Sequence, residues 1–478
     1  MKLNQNLLLS IDVYKAGHMR FYKPGTTKVY SYLCARSDKK YDSALFFGLQ
    51  PYLKMLEKGV SESDAQEFFE MWKEILGSDA PQDVVEKINS LVSLGYIPLE
   101  IKAVPEGTIV NNKNVLATVT NTVDGFHWVV GFFESLLLKV WAPTSVATLS
   151  NKFHKLAKEL TIETSDSEFL LPFLVHDFGY RGVSSEESAQ ILGASHLVNS
   201  AGTDTVPAVK FVKENYGATG LLGASVPASE HSIHCSFGDD EEAELEYLNH
   251  MLDLNPTGLV SVVSDAYDYW RMLTVTVPKL KDKILARDGK LVIRPDSGDP
   301  KAILLGDLNA QAGSNEAKGT FTILEEIFGA TTNSKGFKEL NPKIGVIYGD
   351  GMFFDRFKDI VISMKERGLA NTNLVVGIGG LLLQQHNRDD LGFAFKATQA
   401  IINGEAKEIF KDPITDKGKR SHKGLMKLVR NEDGSFTTVD QVSEAEEKQG
   451  ELQTVFLNGK VVRSFTFNEV RKNAGTFV

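Results

Sequence analysis

The segment LVIRPDSGDP, residues 291–300, decides the fold class because a short apolar run leads directly into a cluster of charged and turn-forming residues. The run has the length and the β-branched content of a buried strand. Arg294, Pro295 and Asp296 follow where this strand would end, and the residues after them favour a turn. A strand with a polar carboxyl end is typical of the parallel sheets of α/β proteins, which bind ligands at that end.

Six other segments share this arrangement of an apolar run and a polar end. They are LVHDFGYRG (174–182), GTDTV (202–206), SVPASEHS (225–232), VSVVSDAYD (260–268), IGVIYGDG (344–351) and LVVGIGG (374–380). Successive segments are 28, 27, 34, 31, 54 and 29 residues apart, measured between His176, Asp204, His231, Asp265, Asp296, Asp350 and Gly379. About 30 residues is the length of one strand plus its crossover helix. The 54-residue interval holds either an insertion around residues 308–320 or one unmarked unit.

These repeats predict an α/β fold in which an irregular, TIM-like α/β barrel carries the polar clusters at the carboxyl ends of its strands. An open doubly wound sheet is the alternative, since it also binds ligands at strand ends. Residues 1–150 alternate strand-like and helical runs, and the C-terminal stretch reads as strands with a hairpin across Asn458-Gly459. We therefore expect the barrel at 151–388 and an additional α+β domain built from residues 1–150 together with 389–478.

The composition limits the classes of partner. The net charge of −10 argues against nucleic acid and against a polybasic membrane surface. The most apolar window, residues 128–143, contains Glu134 and Lys139 and therefore predicts a buried helix rather than a membrane span. The two cysteines, Cys34 and Cys235, lie far apart, which fits a reducing compartment. The N-terminal apolar run is too short for a signal peptide. We expect a cytoplasmic protein.

Each polar cluster has a structural and a binding interpretation. The cluster at Arg294 is either a plain turn or an Arg–Asp pair that holds a phosphate and a sugar hydroxyl. The glycines at 379 and 380 indicate either close packing or a nest of backbone N–H groups for a phosphate. Phe178 and Arg181 are suited to clamp a flat ring and an anion. Asp204 would fit a purely structural role, as the N-cap residue of a helix.

Together the clusters indicate a ligand with a phosphate, a sugar and a planar ring. The chain has no P-loop, no GxGxxG and no GxSxG motif, and HSIHC (231–235) is no convincing zinc site. An aldolase or isomerase acting on a sugar phosphate is the distant alternative. A Schiff-base aldolase needs a strand-end lysine, and none of the seven clusters contains one.

In this order and spacing, the seven segments resemble those of the nicotinamide phosphoribosyltransferases, the type II phosphoribosyltransferase family. The similarity extends to DVYKAGHMRFYKPGT (12–26), FKDPITDKGKRSHKG (410–424) and RSFTFNEVRKNA (463–474). The resemblance implies transfer of the phosphoribosyl group of phosphoribosyl pyrophosphate to nicotinamide, which yields nicotinamide mononucleotide and pyrophosphate in NAD salvage. It also implies Mg2+, held mainly by the diphosphate, and a homodimer in which each subunit completes the other's active site.

The resemblance assigns residues as well. It implies coupling to ATP hydrolysis through a phosphohistidine at His231, with Asp265 and Asp296 as the other catalytic candidates. The residues implied to bind substrate are Asp12, Tyr14, Phe178, Arg181, Asp204, Arg294, Pro295, Asp296, Gly349, Asp350, Gly379, Gly380 and Arg388. The phosphate contacts implied across the dimer are Arg36, Lys396 and Lys411.

Four questions stay open at the level of sequence. A lone histidine is more often a packed structural residue than a reactive one, so His231 needs a partner to support its role. Asp265 and Glu230 are competing candidates for the acid that orients its imidazole. Nicotinate phosphoribosyltransferase is the near alternative, although it would need a cation where Asp204 stands. A nucleotide-binding protein without catalytic activity is the third interpretation.

Overall fold

The computed structural model describes residues 6–411 and 421–476. Its contacts divide the chain into two compact units. The terminal unit comprises Met1–Thr148, Val212–Ala218 and His386–Val478, and the central unit comprises Leu149–Phe211 and Thr219–Gln385. Residues 412–420, in the middle of the motif at 410–424, lie outside the described residues.

The first part of the chain alternates helices and strands. The helices are α1 (Val13–His18), α2 (Gln50–Leu56), α3 (Glu62–Leu76), α4 (Gln82–Leu94), α5 (Trp128–Phe132), α6 (Glu134–Leu138) and α7 (Trp141–Thr164). The strands are β1 (Thr26–Cys34), β2 (Ser43–Leu45), β3 (Leu99–Ala103), β4 (Ile109–Asn111) and β5 (Val115–Asn121).

The middle of the chain alternates short strands with helices. The strands are β6 (Val175–Asp177), β7 (Gly202–Thr203), β8 (Thr257–Val263), β9 (Asp288–Arg294), β10 (Ala330–Thr332), β11 (Lys338–Leu340), β12 (Ile344–Tyr348) and β13 (Leu374–Ile378). The helices are α8 (Glu186–Leu197), α9 (Val206–Tyr216), α10 (His231–Cys235), α11 (Glu241–Leu254), α12 (Tyr269–Arg271), α13 (Val277–Lys279), α14 (Lys281–Ala286), α15 (Pro300–Leu305), α16 (Asn315–Phe328), α17 (Phe354–Glu366) and α18 (Gly380–Leu383). A π-helical turn, Met272–Thr276, joins α12 to α13.

The last part of the chain returns to the terminal unit. Its strands are β14 (Ala394–Ile402), β15 (Glu405–Glu408), β16 (Leu425–Arg430), β17 (Phe436–Val442), β18 (Gln453–Leu457) and β19 (Lys460–Val461). Its helices are α19 (Glu444–Glu447) and α20 (Phe467–Ala474).

Local sequence signals explain the better-defined elements. Helix α3 begins at Ser61, whose side chain and that of Asp64 cap each other's backbone N–H, and it ends at Gly77 with a φ of 74°. The predicted hairpin at Asn458-Gly459 is confirmed, because β18 pairs antiparallel with β19 and both turn residues have positive φ. Among the described residues, no helix combines the length and the apolar character needed to cross a membrane.

The terminal unit is built on a mostly antiparallel sheet with the strand order β15-β14-β1-β5-β3-β18-β19. Strand β1 pairs antiparallel with β14 on one side and with β5 on the other. The central strands are largely buried, as their runs of β-branched and aromatic residues predict. The N-terminal and C-terminal segments thus share one sheet.

The central unit contains a parallel half-barrel sheet with the strand order β7-β6-β13-β12-β9-β8. Every pairing in it is parallel. Helices α15 and α16 and the β10–β11 hairpin fill the 54-residue interval, so that interval contains an insertion.

The segment SVPASEHS departs from the expected strand. It forms isolated bridges, Ala228 to Ser261 of β8 and, from the adjoining Ala224, a bridge to Gly202 of β7. Pro227 has no N–H to donate, which prevents a regular ladder at this point. The two edge strands of the half-barrel therefore contact the same irregular segment.

Candidate active site

The parallel register brings the polar clusters to one edge of the central sheet. Asp177 of β6 pairs with Thr203 of β7 and with Ile378 of β13. The residue after each of these, Phe178, Asp204 or Gly379, therefore begins a loop at the same level. The strand ends that the sequence predicts to be functional are neighbours in space.

The ring of Phe178 lies against two glycines of adjacent strands. A Cβ on Gly377 would stand 2.0 Å from the Phe178 ring, so only glycine allows this packing. A Cβ on Gly349 would stand 3.0 Å from Oδ1 of Asp296 and 3.4 Å from Phe178. The aromatic ring and the Asp296 carboxylate therefore both lie close to the side of Gly349 where a side chain would stand.

The turn that carries Arg181 packs onto the glycine pair that follows β13. A Cβ on Gly182 would stand 2.7 Å from the Cα of Gly380, and the backbones approach closely because neither residue has a side chain. Gly379 precedes α18, and both glycines are partly exposed. The exposed Arg181 thus belongs to the same surface as the predicted phosphate nest.

One buried carboxylate connects the candidate nucleophile to the loop after β9. Oδ1 of Asp265 lies 3.0 Å from Nε2 of His231, and its Oδ2 accepts the backbone N–H of Asp296 at 2.9 Å. The Asp265 side chain is 3% exposed, whereas that of His231 is 45% exposed. Glu230 instead accepts a hydrogen bond from the Ser232 hydroxyl. The acid that contacts the imidazole is therefore Asp265.

Arg294 and Asp296 face one another across the end of β9. Nη2 of Arg294 lies 4.0 Å from Oδ2 of Asp296, and Nε of Arg294 is buried without a hydrogen-bond partner. Burial raises the pKa of Asp296, while the nearby Arg294 lowers it. Pro295 between them is buried. The pair combines a cation with a spare donor and a carboxylate, as a sugar phosphate requires.

Asp204 presents its carboxylate at the end of β7. The residue is exposed, and the hydroxyl of Ser225 donates a hydrogen bond to its Oδ1. Asp350 is likewise exposed after β12. These carboxylates are the negative groups on this rim that can accept hydrogen bonds from a ligand's N–H or O–H groups.

Asp177 is a site residue that the sequence analysis missed, although it lies within HDFGYRG. Its Oδ1 accepts the backbone N–H of Gly179 at 2.7 Å, and its Oδ2 lies 3.4 Å from the hydroxyl of Thr203. Burial raises the pKa of this carboxyl to about 6, against hydrogen bonds that lower it. Asp177 therefore ties the loop of Phe178 to the strand of Asp204.

The raised pKa of Asp177 predicts a pH-dependent change in stability. A carboxyl whose pKa is higher in the folded state contributes stability that is complete below its unfolded pKa and is lost as pH rises through the folded pKa. The Asp177→Asn variant has no carboxyl at this position to ionise, so it does not suffer this loss. As the pH rises from about 4 to about 8, its free energy of unfolding should therefore increase by about 2–3 kcal/mol relative to that of the parent. Urea unfolding at both pH values measures the difference.

The exposed Asp355 provides the matched control for that experiment. Asp355→Asn should change the free energy of unfolding by the same small amount at both pH values. A pH-independent difference for Asp177→Asn as well would show that this carboxyl is not destabilised by burial.

Three predicted phosphate contacts lie in the terminal unit and influence one another. Burial, Arg36 and Lys411 all lower the pKa of Lys396. Lys396 pairs in register with Tyr32 of β1, and Arg36 donates from Nε to the carbonyl of Gly392 at 3.2 Å. The structure thus gathers positive charge at one place despite the acidic net charge, as an anionic ligand requires.

The other predicted residues of the terminal unit are solvent-exposed. Asp12 precedes α1 and accepts from the hydroxyl of Ser135 at 2.5 Å. Tyr14 is 60% exposed and has an edge contact with His18. Arg388 is exposed beside Asp389. An exposed tyrosine near the start of a chain is available to a second molecule.

The strand-end arrangement defines the class of site. An arginine, a glycine pair, carboxylates and an aromatic ring share one edge of a parallel sheet, which is the set of groups that a phosphorylated sugar and a planar base require. Such a set is typical of enzymes that handle nucleotides and their precursors.

Comparison with known proteins establishes the family. Residues 173–460, more than half of the chain, match the model of the nicotinate phosphoribosyltransferase family. Residues 6–101 match the N-terminal domain of nicotinamide phosphoribosyltransferase. The chain belongs to the nicotinate phosphoribosyltransferase family, and its N-terminal match agrees with the resemblance to the nicotinamide phosphoribosyltransferases that the sequence motifs indicated. It is a pentosyltransferase of pyridine nucleotide synthesis that acts on small molecules, with phosphoribosyl pyrophosphate as a substrate.

Two relatives that match along almost the whole chain are named as phosphoribosyltransferases as well. The chain is 38% identical to nicotinamide phosphoribosyltransferase of Acinetobacter baylyi, with 99% of this chain and 97% of the relative covered. It is 37% identical to nicotinamide phosphoribosyltransferase of Xanthomonas campestris, with 98% of each covered.

Solved structures support the fold. The chain is similar to nicotinate-nucleotide pyrophosphorylase from Pyrococcus furiosus, with a TM-score of 0.60, 16% identity and coverage of 99% and 96%. It is also similar to human nicotinic acid phosphoribosyltransferase, with a TM-score of 0.56, 16% identity and coverage of 97% and 92%. At this identity the comparison concerns the fold alone.

Proposed function

We propose that the enzyme uses nicotinamide as its acceptor and couples the transfer to ATP hydrolysis through a phosphohistidine at His231. The ring nitrogen of nicotinamide attacks the anomeric carbon of phosphoribosyl pyrophosphate as the bond to diphosphate breaks. The products are nicotinamide mononucleotide and diphosphate. The protein's task is to align the ring with the ribose and to stabilise the leaving diphosphate.

The observation that carries the choice of nicotinamide is the exposed Asp204 carboxylate, one residue beyond the pair that links β7 to the strand of Phe178. Phe178 stacks on the pyridine ring, and Asp204 accepts the N–H of the carboxamide. A carboxylate accepts hydrogen bonds but donates none, which favours an amide over a second carboxylate.

Residues at the remaining strand ends bind the ribose and the phosphate groups of the substrate. Asp296 and Asp350 accept hydrogen bonds from the ribose hydroxyls. The backbone N–H groups of Gly349, Gly379 and Gly380 receive the 5′-phosphate. Arg388 is a further candidate for a phosphate contact. Arg181 and Arg294 hold the diphosphate, and Pro295 fixes the chain direction between Arg294 and Asp296.

Coupling to ATP rests on the contact between His231 and Asp265. With Nε2 facing the carboxylate, Nδ1 takes the γ-phosphoryl group as ADP leaves, and water later releases phosphate. No described residue hydrogen-bonds to Nδ1. Arg36, Lys396 and Lys411, contributed by the other subunit, neutralise the phosphates of ATP or diphosphate.

Mg2+ accompanies the diphosphate in this proposal. In the part of the chain that the structure describes, no group of three or more histidine, cysteine or acidic side chains is placed to hold a metal ion alone. The carboxylates of Asp296 and Asp350 fit a hard cation that a diphosphate already binds. When bound, the cation would lower the negative charge on the leaving group.

The proposal extends to organisation and location. The six-stranded half-barrel closes into an irregular barrel through the segment at 224–229, whose contacts with both edge strands support this closure. Residues 1–150 and 389–478 form the additional α+β domain, with the barrel at 151–388. The free thiols of Cys34 and Cys235 fit the cytoplasm.

A homodimer with shared sites predicts complementation between inactive variants. Tyr14 and Asp12 act in the partner's site, whereas Asp204 acts in its own subunit's site. Mixing Tyr14→Ala with Asp204→Ala should therefore create heterodimers with one intact site and restore about a quarter of the parent activity. The assay is turnover after subunit exchange, with exchange verified by mass labels.

The matched control is a mixture of Asp204→Ala with His231→Ala. Both residues are proposed to act in the same subunit's site, so each site of that heterodimer stays defective. Recovery in the control, or none in the first mixture despite exchange, contradicts the shared sites.

The proposed reaction is tested by identifying products with nicotinamide and nicotinate in parallel, each with and without ATP. We expect nicotinamide mononucleotide and diphosphate, with ADP and phosphate formed when ATP is present. Two outcomes favour another function. Product from nicotinate alone supports nicotinate phosphoribosyltransferase, the second candidate, which is the activity for which the matching family is named. Binding of the mononucleotide without any turnover supports the non-catalytic alternative.

A further inference from the structure

The turn between β9 and α15 follows Arg294 and carries Asp296, and it is anchored at both ends. At one end the N–H of Asp296 donates to Asp265 at 2.9 Å. At the other end the Asp299 side chain accepts the N–H of Ala302 at 2.9 Å and caps α15. The middle of the turn, Ser297 and Gly298, is exposed.

The middle of the turn is held by one hydroxyl group. The phenol oxygen of Tyr348 lies 3.0 Å from the carbonyl oxygens of both Ser297 and Gly298, so its O–H is shared between two acceptors. No other hydrogen bond among the described residues engages Ser297 or Gly298. Tyr348 thus provides the hydrogen bonds that hold the middle of this exposed turn.

The environment of Tyr348 keeps it a rigid donor. The residue ends β12 and its side chain is fully buried. Burial, and then the neighbouring carboxylates of Asp350, Asp265 and Asp296, raise the pKa of this phenol above its usual value. The side chain therefore stays protonated at neutral pH and can donate.

We propose that Tyr348 is a positioning residue that holds the turn at 295–299 in the conformation that binds the ribose and diphosphate of phosphoribosyl pyrophosphate. It touches no substrate. By fixing the carbonyls of Ser297 and Gly298, it sets the placement of Asp296 relative to Arg294, whose charged groups lie 4.0 Å apart. This inference rests on the proposed function.

Tyr348→Phe tests the inference because it removes the hydroxyl group alone. We expect the KM for phosphoribosyl pyrophosphate to rise about tenfold, as the loss of one shared hydrogen bond implies. The KM for nicotinamide should stay within about twofold, because Phe178 and Asp204 are anchored on other strands. Tyr269→Phe is the matched control, since its buried hydroxyl contacts Thr320 at 2.8 Å instead of the turn.

If Tyr348→Phe has the same KM as the parent for each of the two substrates, the proposal is overturned. A rise of the same size in the KM of Tyr269→Phe for phosphoribosyl pyrophosphate would also overturn it. If Tyr348→Phe does not fold, Gly298→Ala disturbs the same turn from its other side. Gly298 has a φ of 87°, and its added Cβ would stand 3.2 Å from Ile303. The same selective rise in KM is then expected, and unchanged KM values overturn the inference.

The failure of the proposed function looks different. If nicotinamide is not the acceptor, the KM for phosphoribosyl pyrophosphate is measured with nicotinate instead. If neither ring is turned over, calorimetric binding of inorganic diphosphate to the parent and to both variants replaces the kinetic test. Weaker diphosphate binding by Tyr348→Phe but not by Tyr269→Phe supports the role of Tyr348, and equal binding overturns it.

Discussion

Replacement of His231 by alanine is expected to abolish ATP hydrolysis and most of the ATP-stimulated synthesis while leaving the fold intact. The imidazole is partly exposed, and its one hydrogen bond with a described residue, to Asp265, is a local contact at the strand ends. Removal of a nucleophile that forms a covalent intermediate lowers a rate by on the order of 10³-fold or more. Unfolding temperature and ATP turnover, measured on the same preparation, separate the two effects.

The phosphoryl group itself provides the second measurement. After incubation with ATP, the parent should gain the mass of one phosphoryl group, and acid should remove it. His250→Ala is the matched control, because His250 is an exposed histidine of the same unit on α11. It should retain both ATP hydrolysis and phosphorylation. Full ATP hydrolysis by His231→Ala would refute the assignment.

The strand-end clusters could be predicted from sequence because their signal is local. A buried parallel strand reads as a short apolar run, and the next residues must lie at the edge of the sheet. Phe178, Arg294 and Gly379 therefore appear at strand ends, as expected. The intervals of about 30 residues then fixed the alternation of strands and helices.

The choice between two acids beside His231 could not be made from sequence. Glu230 adjoins the histidine in the chain, whereas Asp265 is 34 residues away. The bend into α10 decides, because Glu230 is the N-cap residue and its carboxylate meets Ser232. Parallel pairing of Val263 with Arg294 meanwhile brings Asp265 to the loop of Asp296.

The residues that the sequence analysis missed act through distant partners. Tyr348 looks like one more buried strand residue until its hydroxyl is seen to contact carbonyls about 50 residues earlier. The grouping of Val212–Ala218 with the terminal unit has the same origin. Tyr216 is buried there, and its hydroxyl donates a hydrogen bond to the fully buried Glu106 at 2.8 Å. The local sequence around either residue does not predict this contact.

The second large effect concerns which ring the enzyme accepts. Nicotinamide has a neutral carboxamide where nicotinate has a carboxylate. The Asp204 carboxylate can accept the amide N–H, but it meets nicotinate with like charge and without a donor. For nicotinate, the loss of that hydrogen bond and the repulsion between its carboxylate and that of Asp204 together cost about 2–5 kcal/mol. This cost corresponds to a preference for nicotinamide of about 30-fold to several thousand-fold. We expect strong preference for nicotinamide in kcat/KM.

Asp204→Asn, or Asp204→Ser, should narrow that preference by weakening nicotinamide and relieving the repulsion of nicotinate. Ser225→Ala is the matched control, since it removes the hydroxyl that donates to Asp204 but keeps the carboxylate and its charge. The control should therefore retain the preference, because discrimination between the rings arises from charge and from the missing donor. A parent that prefers nicotinate would favour the nicotinate assignment. If Asp204→Asn leaves the ratio of the two kcat/KM values unchanged, a group other than Asp204 recognises the ring substituent.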